Sequence, residues 1–480
     1  MLLKGGKMYF GRESISNIDY YNPNLIKPNR DSENIFFKTK YWTISAAGIE
    51  EKPMKTIEEN IWNEQLKEFD ATRTERLINV IKIDEAHLKK FDLPPTLLGR
   101  YDIEVSALGQ KCDFARFLYY TSNFYWEKFY DDHKQQTNEL DIKQFPEEIA
   151  DTNLHFISKM CAIGYLLHQY RDKSCEKAIV GMDGKLSEVG ESNGRTGKSL
   201  LGFGIEKMLI QAYVDGKRDP EKEKYLWEEV TEKTQNIFID DVYVNFDLEM
   251  LFTIITGKMV VEPKGKPRFT LSGSDVPKIY LTTNHALNGS SASFRDRQFK
   301  LAFCDFFDDD YKPRELFGKN FFDEWDADEW NLFYNFMAEC LELYFVARHH
   351  GWGINGTGLI QASTERLERR QLRQEMGEQF FNWLNDFLGI DENTVENRQG
   401  TRLNDPMERN IMQEDYQVKC PSQKKYYTPQ KFWRKLTQYC RYWGLRLNPA
   451  QTLDADKPGK DKRSGTEYIT VANKWFDMGE

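Results

Sequence analysis

Residues 192–199 read Ser-Asn-Gly-Arg-Thr-Gly-Lys-Ser, and a helical pattern begins at Lys198. This stretch matches the second half of a phosphate-binding loop, in which backbone N–H groups and the start of a helix bind phosphate oxygens. Ser192 stands where the pattern has its first glycine, but Gly194 still allows a tight turn. In such a loop Lys198 would neutralise nucleotide phosphates and Ser199 would bind Mg²⁺. The alternative is a glycine-rich turn without a ligand.

A strand pattern that ends in two acidic residues follows the loop. Residues 236–241 read Asn-Ile-Phe-Ile-Asp-Asp, and Asp240 lies 42 residues beyond Lys198. A nucleotide-hydrolysing site needs this order, because one carboxylate can hold Mg²⁺ through water while its neighbour Asp241 polarises the attacking water. The alternative is a strand that ends in a solvated acidic turn.

A third strand pattern ends in polar residues. Residues 278–284 read Lys-Ile-Tyr-Leu-Thr-Thr-Asn, and Asn284 is predicted to reach a terminal phosphate or the attacking water. Further along, residues 293–297 read Ser-Phe-Arg-Asp-Arg. The guanidinium groups of Arg295 and Arg297 are suited to stabilise transition-state charge across a subunit interface.

Short apolar runs alternate with helical patterns between residues 178 and 307, which predicts an α/β sheet. The predicted strands are Ala178-Ile179-Val180, Ile237-Phe238-Ile239, Met259-Val260-Val261 and Ile279-Tyr280-Leu281. Helices are predicted after Lys198 and over residues 247–255.

The phosphate loop, the double-acid strand and the Leu-Thr-Thr-Asn strand end, in this order, resemble the ATPase core of superfamily 3 helicases, which belong to the AAA+ class. In particular, they are similar to the C-terminal modules of poxvirus-type primase-helicases of phages and mobile elements. The resemblance covers residues 150–310. It implies a P-loop ATPase fold, with Mg²⁺ and ATP bound at one site.

The resemblance also implies roles for single residues. The resemblance assigns metal binding to Ser199 and Asp240. It assigns nucleotide binding to Gly194, Arg195, Thr196, Gly197, Lys198, Ser199 and Leu200. The catalytic set is Lys198, Asp240, Asp241 and Asn284, with Arg297 as first and Arg295 as second choice for an arginine that acts on a neighbouring subunit. The resemblance also implies a hairpin that projects into a central channel, and it assigns DNA binding to Lys264, Lys266 and Arg268 at the hairpin tip. By position alone, that tip is equally well an ordinary Pro/Gly turn with solvated lysines.

The chain is predicted to contain four parts. Residues 1–150 form a mixed, largely helical domain, residues 151–320 the ATPase core, residues 321–420 a helical and loop region on that core, and residues 421–480 a basic winged-helix-like domain. Helical patterns over residues 57–69 and 71–81 support the first assignment, and a hinge over residues 146–151 the first boundary. In the last part, Thr428-Pro429 begins a helix that two strands follow; the alternative is a helix packed on the ATPase with a disordered basic tail.

Composition limits the function classes. The 480 residues are 40% hydrophobic and 14% aromatic, which excludes an intrinsically disordered protein. No uninterrupted apolar run approaches the length of a membrane span, and the opening Met1-Leu2-Leu3-Lys4-Gly5-Gly6 lacks the apolar region of a signal peptide. This favours the cytoplasm, that of a bacterial host for a phage or mobile element. Seven scattered Cys residues predict buried reduced thiols. The net charge of −10 hides a basic end, since residues 421–480 contain 12 Lys and Arg against 6 Asp and Glu.

Together these features predict an ATP-dependent DNA helicase that unwinds single-stranded or forked DNA during replication of a phage, plasmid or mobile element. A homo-hexamer is expected, because an arginine that acts on a neighbour leaves an isolated subunit incomplete. A primase is a further candidate partner. The alternative is an ATP-switched, origin-binding initiator that hydrolyses ATP without processive unwinding.

Overall fold

The structure is a computed structural model that describes residues 23–131, 135–136, 145–184, 196–218, 223, 225–243, 246–285, 287, 292–391, 401–421, 428–449, 459–463 and 465–472. Its N-terminal part is an antiparallel three-stranded meander followed by a two-stranded ladder and short helices. The strands are β1 (Ser32–Phe36), β2 (Lys40–Ser45), β3 (Gly48–Pro53), β4 (Ile78–Lys82) and β5 (Tyr101–Val105), and the helices are α1 (Glu85–Phe91), α2 (Asp113–Tyr120) and α3 (Trp126–Phe129). A short ladder of β6 (Tyr130–Asp131) and β7 (Gln135–Gln136) follows.

The N-terminal part is not largely helical, and this prediction is wrong. The segments 57–69 and 71–81 are turns and extended chain, with a single 3-10 turn at Asn63–Gln65 and strand β4. Their apolar side chains anchor an irregular chain to the core one by one: Ala71 and Leu77 are buried, and the backbone of Leu66 forms a bridge to Phe36. Buried side chains at these intervals have the sequence spacing of an amphipathic helix, although the chain here is not helical.

The central element is a five-stranded sheet in which every neighbouring pair is parallel. Its strand order is β14-β8-β13-β10-β9. The elements, with the helix α4 that precedes them, are α4 (Pro146–Leu167), β8 (Ala178–Asp183), α5 (Lys198–Glu206), β9 (Gln211–Asp215), β10 (Asn236–Val242), α6 (Phe252–Ile255), β11 (Lys258–Val261), β12 (Phe269–Ser272), β13 (Lys278–Thr283), α7 (Ala292–Asp296) and β14 (Gln298–Phe303). The predicted α/β core is therefore confirmed, and three of the four predicted strands lie in its sheet as β8, β10 and β13. The fourth, β11, pairs with β12 in a separate antiparallel hairpin, and β9 and β14 were not predicted.

Alternate side chains of the sheet enter two different apolar clusters. On the central strands, Ile179, Phe238 and Tyr280 enter the cluster of the first face. Their neighbours in sequence, such as Val180 and Ile239, enter the cluster of the second face. A sheet that is parallel throughout is buried on both faces, which explains its nearly continuous apolar runs.

No core boundary lies at residue 150. Trp42 and Phe114 of the N-terminal part enter the same cluster as α4 and the first face of the sheet. The predicted hinge over residues 146–151 is also wrong, because these residues form the first turns of α4. Proline fits the first turn of a helix, where its missing N–H would have no partner in any case, so Pro146 begins the helix instead of breaking the chain.

The remaining elements form a long helix and a separate C-terminal unit. They are α8 (Pro313–Phe317), α9 (Ala327–His349), α10 (Glu365–Met376), α11 (Glu378–Leu388), β15 (Met407–Glu408), α12 (Arg409–Lys419), α13 (Pro429–Trp443), β16 (Arg446–Leu447), β17 (Asp461–Arg463), β18 (Thr466–Ile469) and β19 (Val471–Ala472). Helix α9 packs along α4 and belongs to the first-face cluster. No helix in the described part of the chain is long and apolar enough to cross a membrane.

The C-terminal unit has its own apolar cluster, which crosses the boundary predicted at residues 420 and 421. Phe380, Trp383 and Tyr416, which lie before that boundary, pack with Phe432 and Leu436 beyond it. Leu372 of α10 packs on the same cluster, so the unit includes the end of α10, and α11 and α12 belong to it rather than to a region packed on the central sheet. Spacing on one helix cannot reveal such a grouping, because the contacts join separate helices.

All seven Cys residues are buried and free, as the sequence predicted.

One buried lysine connects α4 to the end of α2. The side chain of Lys159 is fully buried, and its ammonium donates to the carbonyl oxygen of Thr121 at 3.2 Å and to Ser122 Oγ at 2.7 Å. It also lies 4.6 Å from the ring centre of Phe303. Burial lowers the pKa of Lys159 to about 7.

This pKa predicts a pH-dependent stability. Above pH 7 the folded chain releases the proton of Lys159, whereas an unfolded lysine keeps it up to about pH 10, so unfolding takes up a proton in this range. Relative to Lys159→Met, the free energy of unfolding of the wild type is expected to rise by about 2 kcal/mol from pH 7 to pH 9. Urea unfolding at pH 7, 8 and 9 measures it. The exposed Lys55→Met is the control, and equal pH profiles for wild type and Lys159→Met would contradict the prediction.

Candidate nucleotide site

The described part of the phosphate loop lies between β8 and α5. Gly194 and Arg195 lie outside the described residues, whereas the chain from Thr196 onward is described. Gly197 precedes the first turn of α5 with a φ of 93°, a conformation that glycine adopts without strain. A Cβ atom on Gly197 would lie 2.5 Å from the ring of Phe117 in α2. The loop therefore requires glycine here for two independent reasons.

Lys198 is buried at the end of β8. Its ammonium forms an ion pair with Asp183, the last residue of β8, and donates to Asn284 Oδ1 at 2.8 Å and to Thr196 Oγ1 at 3.3 Å. Thr196 also donates to Asp183 Oδ1 at 2.6 Å. The carboxylate compensates the buried positive charge, which is costly without a partner. Asp183 was not predicted, although an acid directly after an apolar strand was a visible signal.

Ser199 and Asp240, the two predicted metal ligands, lie in hydrogen-bond contact. Ser199 Oγ donates to Asp240 Oδ1 at 2.7 Å, and Thr282 Oγ1 donates to the same oxygen at 2.6 Å. The backbone N–H of Asp241 donates to Thr282 Oγ1 at 2.8 Å. Thr282 thus orients both acidic residues from the neighbouring strand. A hydroxyl and a carboxylate are hard oxygen ligands, and Mg²⁺ commonly uses one or two carboxylates together with phosphates and water.

Asp241 faces Asn284 and a lysine that the sequence analysis did not single out. Asn284 Nδ2 donates to Asp241 Oδ1 at 2.9 Å, and Lys217 Nζ lies 3.1 Å from Asp241 Oδ2. The hydrogen bond to Asp241 raises the pKa of Lys217. Asp241 has a φ of 57°, and the register between β10 and β13 shifts at this point. This irregular backbone turns Asp241 away from the regular strand direction and toward Asn284.

These side chains line one cavity of about 980 Å³. Its lining residues are Thr196, Gly197, Lys198, Ser199, Leu200, Lys217, Asp240, Asp241, Thr282, Asn284, Lys312, Pro313, Arg314, Lys319, Asn320 and Phe321. It opens at the carboxyl ends of β8, β10 and β13, the usual ligand position on an open parallel sheet. Its lining contains five cations and two carboxylates, and three of these cations, Lys198, Arg314 and Lys319, also pair with carboxylates that do not line it, Asp183, Glu324 and Glu329.

The other predicted residues lie outside this cavity. Arg295 is exposed on α7. The guanidinium of Arg297 lies 4.6 Å from the ring centre of Phe252 and donates to the carbonyl oxygen of Ser293 at 3.3 Å. Neither arginine lines the cavity of its own chain.

Lys264, Lys266 and Arg268 are exposed at the tip of the antiparallel hairpin formed by β11 and β12. Gly265 turns this tip with a φ of 72°. The predicted hairpin is therefore present, and its cations face solvent.

Comparison with known proteins gives weak similarity only. No protein-family model matches the sequence, and no curated protein matches it. Among solved structures, the chain is similar to an apo structure of the C-terminal region of NrS-1, with 11% identity, a TM-score of 0.35 and coverage of 92% of this chain and 97% of that chain. It is also similar to JCV helicase in complex with an acetamide compound, with 11% identity, a TM-score of 0.24 and coverage of 58% of this chain and 63% of that chain. Scores this low do not establish a common fold.

The contact between Gly197 and Phe117 predicts unequal costs for two alanine substitutions. Gly265→Ala places an alanine at a positive φ with nothing within 4 Å of its Cβ, which costs about 1–2 kcal/mol. Gly197→Ala adds the collision with Phe117, so its loss in free energy of unfolding is expected to be larger by about 1–3 kcal/mol. Urea unfolding of both variants measures the difference. Equal losses in the free energy of unfolding would show that a side chain at position 197 does not collide with Phe117.

Proposed function

We propose that the chain is an ATP- and Mg²⁺-dependent motor of the superfamily 3 helicase type that moves along DNA and separates its strands. The observation that carries the proposal is the convergence of Lys198, Ser199, Asp240, Asp241 and Asn284 in one cavity at the carboxyl edge of the parallel sheet. These residues come from three separate segments of the chain. Their side chains are those that phosphoryl transfer to water needs.

Each residue has a chemical task in this proposal. Lys198 would exchange part of its contact with Asp183 for the terminal phosphates of ATP. Ser199 and Asp240 would hold Mg²⁺, which supplies positive charge to the phosphate oxygens. Asp241, fixed by Asn284, would accept a hydrogen bond from the attacking water and orient it. Asn284 contacts both Lys198 and Asp241, so it is placed to sense the terminal phosphate.

The site would be completed by a second copy of the chain. Arg297, or otherwise Arg295, would approach the terminal phosphate of a neighbouring subunit and stabilise the charge of the transition state. Both arginines lie outside the cavity of their own chain, which supports this role in a ring, for which we propose a hexamer. A separate primase as partner and a cytoplasmic location stay predictions.

The hairpin of β11 and β12 would contact DNA. Lys264, Lys266 and Arg268 carry three positive charges around one turn, and phosphate contacts of this kind give affinity without reading the base sequence. A motor needs such contacts because it must bind every sequence that it passes.

The first prediction concerns ATP hydrolysis. The purified chain is expected to hydrolyse ATP, and single-stranded DNA is expected to stimulate this hydrolysis several-fold. Lys198→Ala removes the cation that neutralises the phosphates, and a loss of at least 100-fold in the rate is expected. A phosphate-release assay with and without DNA measures both effects.

Lys217→Ala is the matched control, because Lys217 lines the same cavity but pairs with Asp241 at its exposed rim. Its loss should be much smaller than that of Lys198→Ala. Hydrolysis that continues unchanged in Lys198→Ala would contradict the proposed site.

The alternative proposal is an ATP-switched initiator that binds an origin through the C-terminal unit. This unit has its own core, and its three-stranded sheet, of order β15-β18-β17, contacts α12, while α13 contacts β16. That arrangement supports a winged-helix assignment, and α13 contains four basic and no acidic residues. An initiator of this kind would hydrolyse ATP without using the hairpin for unwinding.

The hairpin distinguishes the two proposals. In the motor, the double variant Lys264→Ala and Lys266→Ala should retain basal ATP hydrolysis but lose at least tenfold in strand separation, because the channel contacts with phosphates are lost. A forked-DNA unwinding assay measures it. The exposed pair Lys38→Ala and Lys55→Ala on the N-terminal part removes the same charge and should unwind normally. Normal unwinding by the hairpin variant would contradict the motor.

A further inference from the structure

A buried carboxylate lies behind the lysine of the nucleotide cavity. Asp183 is fully buried at the end of β8, and it is not among the residues that line the cavity, whereas Lys198 lines it. Asp183 Oδ1 accepts the ammonium of Lys198 and also, at 2.6 Å, the hydroxyl of Thr196. The carboxylate therefore holds the lysine from the protein interior, on the side away from an entering ligand.

Protein groups fill the hydrogen-bonding capacity of the Lys198 ammonium. An ammonium carries three N–H donors. Its three acceptors here are Asp183 Oδ1, Asn284 Oδ1 at 2.8 Å and Thr196 Oγ1 at 3.3 Å. A phosphate oxygen that takes a hydrogen bond from this ammonium must replace one of them. Of the three acceptors, only the carboxylate is charged, so only Asp183 opposes the phosphate by its charge as well.

The backbone keeps Asp183 beside Lys198. Asp183 pairs with Phe303 of β14 in the parallel ladder, and the N–H of Gly184 donates to the carbonyl oxygen of Phe303 at 2.8 Å. A Cβ atom on Gly184 would lie 2.3 Å from the ring of Phe124, so the chain directly after Asp183 is packed against that ring. A retreat of this strand end would break the ladder, and we expect the carboxylate to stay near the ammonium when a ligand enters.

We infer that Asp183 lowers the affinity of the site for polyphosphate, because its carboxylate competes with phosphate groups for the ammonium of Lys198. The inference rests on the proposed function, in which Lys198 binds the terminal phosphates of ATP. Two anions beside one ammonium repel each other, and this repulsion is strong where little water screens it.

The same carboxylate stabilises the fold, since a buried ammonium without a counter-charge is costly. Asp183 therefore has opposite effects on ligand affinity and on stability. A motor releases its product in every cycle, and product release limits the turnover of many enzymes. A carboxylate that weakens phosphate binding favours this release.

The test removes the charge of Asp183 and keeps its shape. Asp183→Asn retains an oxygen that accepts from Lys198. Isothermal titration calorimetry on the full chain at pH 7 uses two probes with Mg²⁺, a non-hydrolysable ATP analogue and inorganic tripolyphosphate. The variant is expected to bind both probes about fivefold or more tightly than the wild type, because the competing charge is gone. Its midpoint of urea unfolding is expected to fall, because the buried ammonium has lost its counter-charge.

Two further variants complete the design. Asp461 is a buried carboxylate of the C-terminal unit that pairs with Arg463 at 2.9 Å. Asp461→Asn therefore removes the same charge from a residue that does not line the cavity, and it should bind both probes as the wild type does. Asp183→Ser replaces Asp183→Asn if the latter does not fold, since a hydroxyl also accepts a hydrogen bond without carrying charge. The same gain in affinity is expected of it.

The outcomes separate this inference from the function on which it rests. Tighter binding of both probes in a less stable variant supports it, because a carboxylate with a purely structural role would leave binding unchanged or weaken it. Unchanged or weaker binding by the neutral variants, while Lys198→Ala loses both probes, overturns the inference and leaves the phosphate site standing. A gain confined to the ATP analogue also overturns it, because the competition must act on phosphate. If neither the wild type nor Asp183→Asn binds either probe, the proposed function and the inference fall together.

Discussion

The architecture depends on the need to cover both faces of a sheet whose strands are all parallel. Such a sheet has no polar face that tolerates water, so apolar cover must come from elsewhere in the chain. The N-terminal part, α4 and α9 supply the cover on one face. The hairpin strands and the start of α10 contribute cover on the other, through Met259, Leu271 and Leu367. The N-terminal part is therefore a structural layer of the core, and the candidate site lies at the carboxyl edge of the sheet.

At this open edge, charge compensation decides the geometry. Lys198 is buried, and a buried ammonium without a counter-charge would lose its proton or destabilise the fold. Asp183 provides the counter-charge, and Asn284 ties the same ammonium to the strand that carries Thr282. One ion pair and several hydrogen bonds thus connect the polar side chains at the ends of three strands. A preorganised arrangement of this kind lowers the reorganisation that ligand binding requires.

The sequence was most informative about site residues that directly follow an apolar run in the chain. Asp240 and Asp241 follow the apolar run of β10 directly, and Asn284 comes directly after β13, so their positions at one sheet edge were predictable. Strand β9 lies at the edge of the sheet and buries only alternate residues, and β14 begins with Gln298, so neither gave a continuous apolar signal. The contribution of residues 312–321 to the cavity was beyond prediction for a different reason. These residues line the same cavity as the loop more than 100 residues earlier, and no local pattern encodes that proximity.

The site and the hairpin are joined by one helix end. Strand β13 carries Asn284 just beyond its carboxyl end and begins at Lys278, whose buried ammonium donates to the carbonyl oxygen of Tyr165 at 2.6 Å, near the end of α4. Four residues beyond α4, Arg171 donates to Val276 at 3.1 Å, to Pro277 at 2.9 Å and to the carbonyl oxygen of Ile255.

The last of these carbonyls precedes the hairpin, and the other two follow it. The roots of the hairpin and of β13 are consequently held by the same region at the end of α4. Since Lys278 is buried and Arg171 is partly buried, these hydrogen bonds fix the position of the hairpin relative to the strand that precedes Asn284.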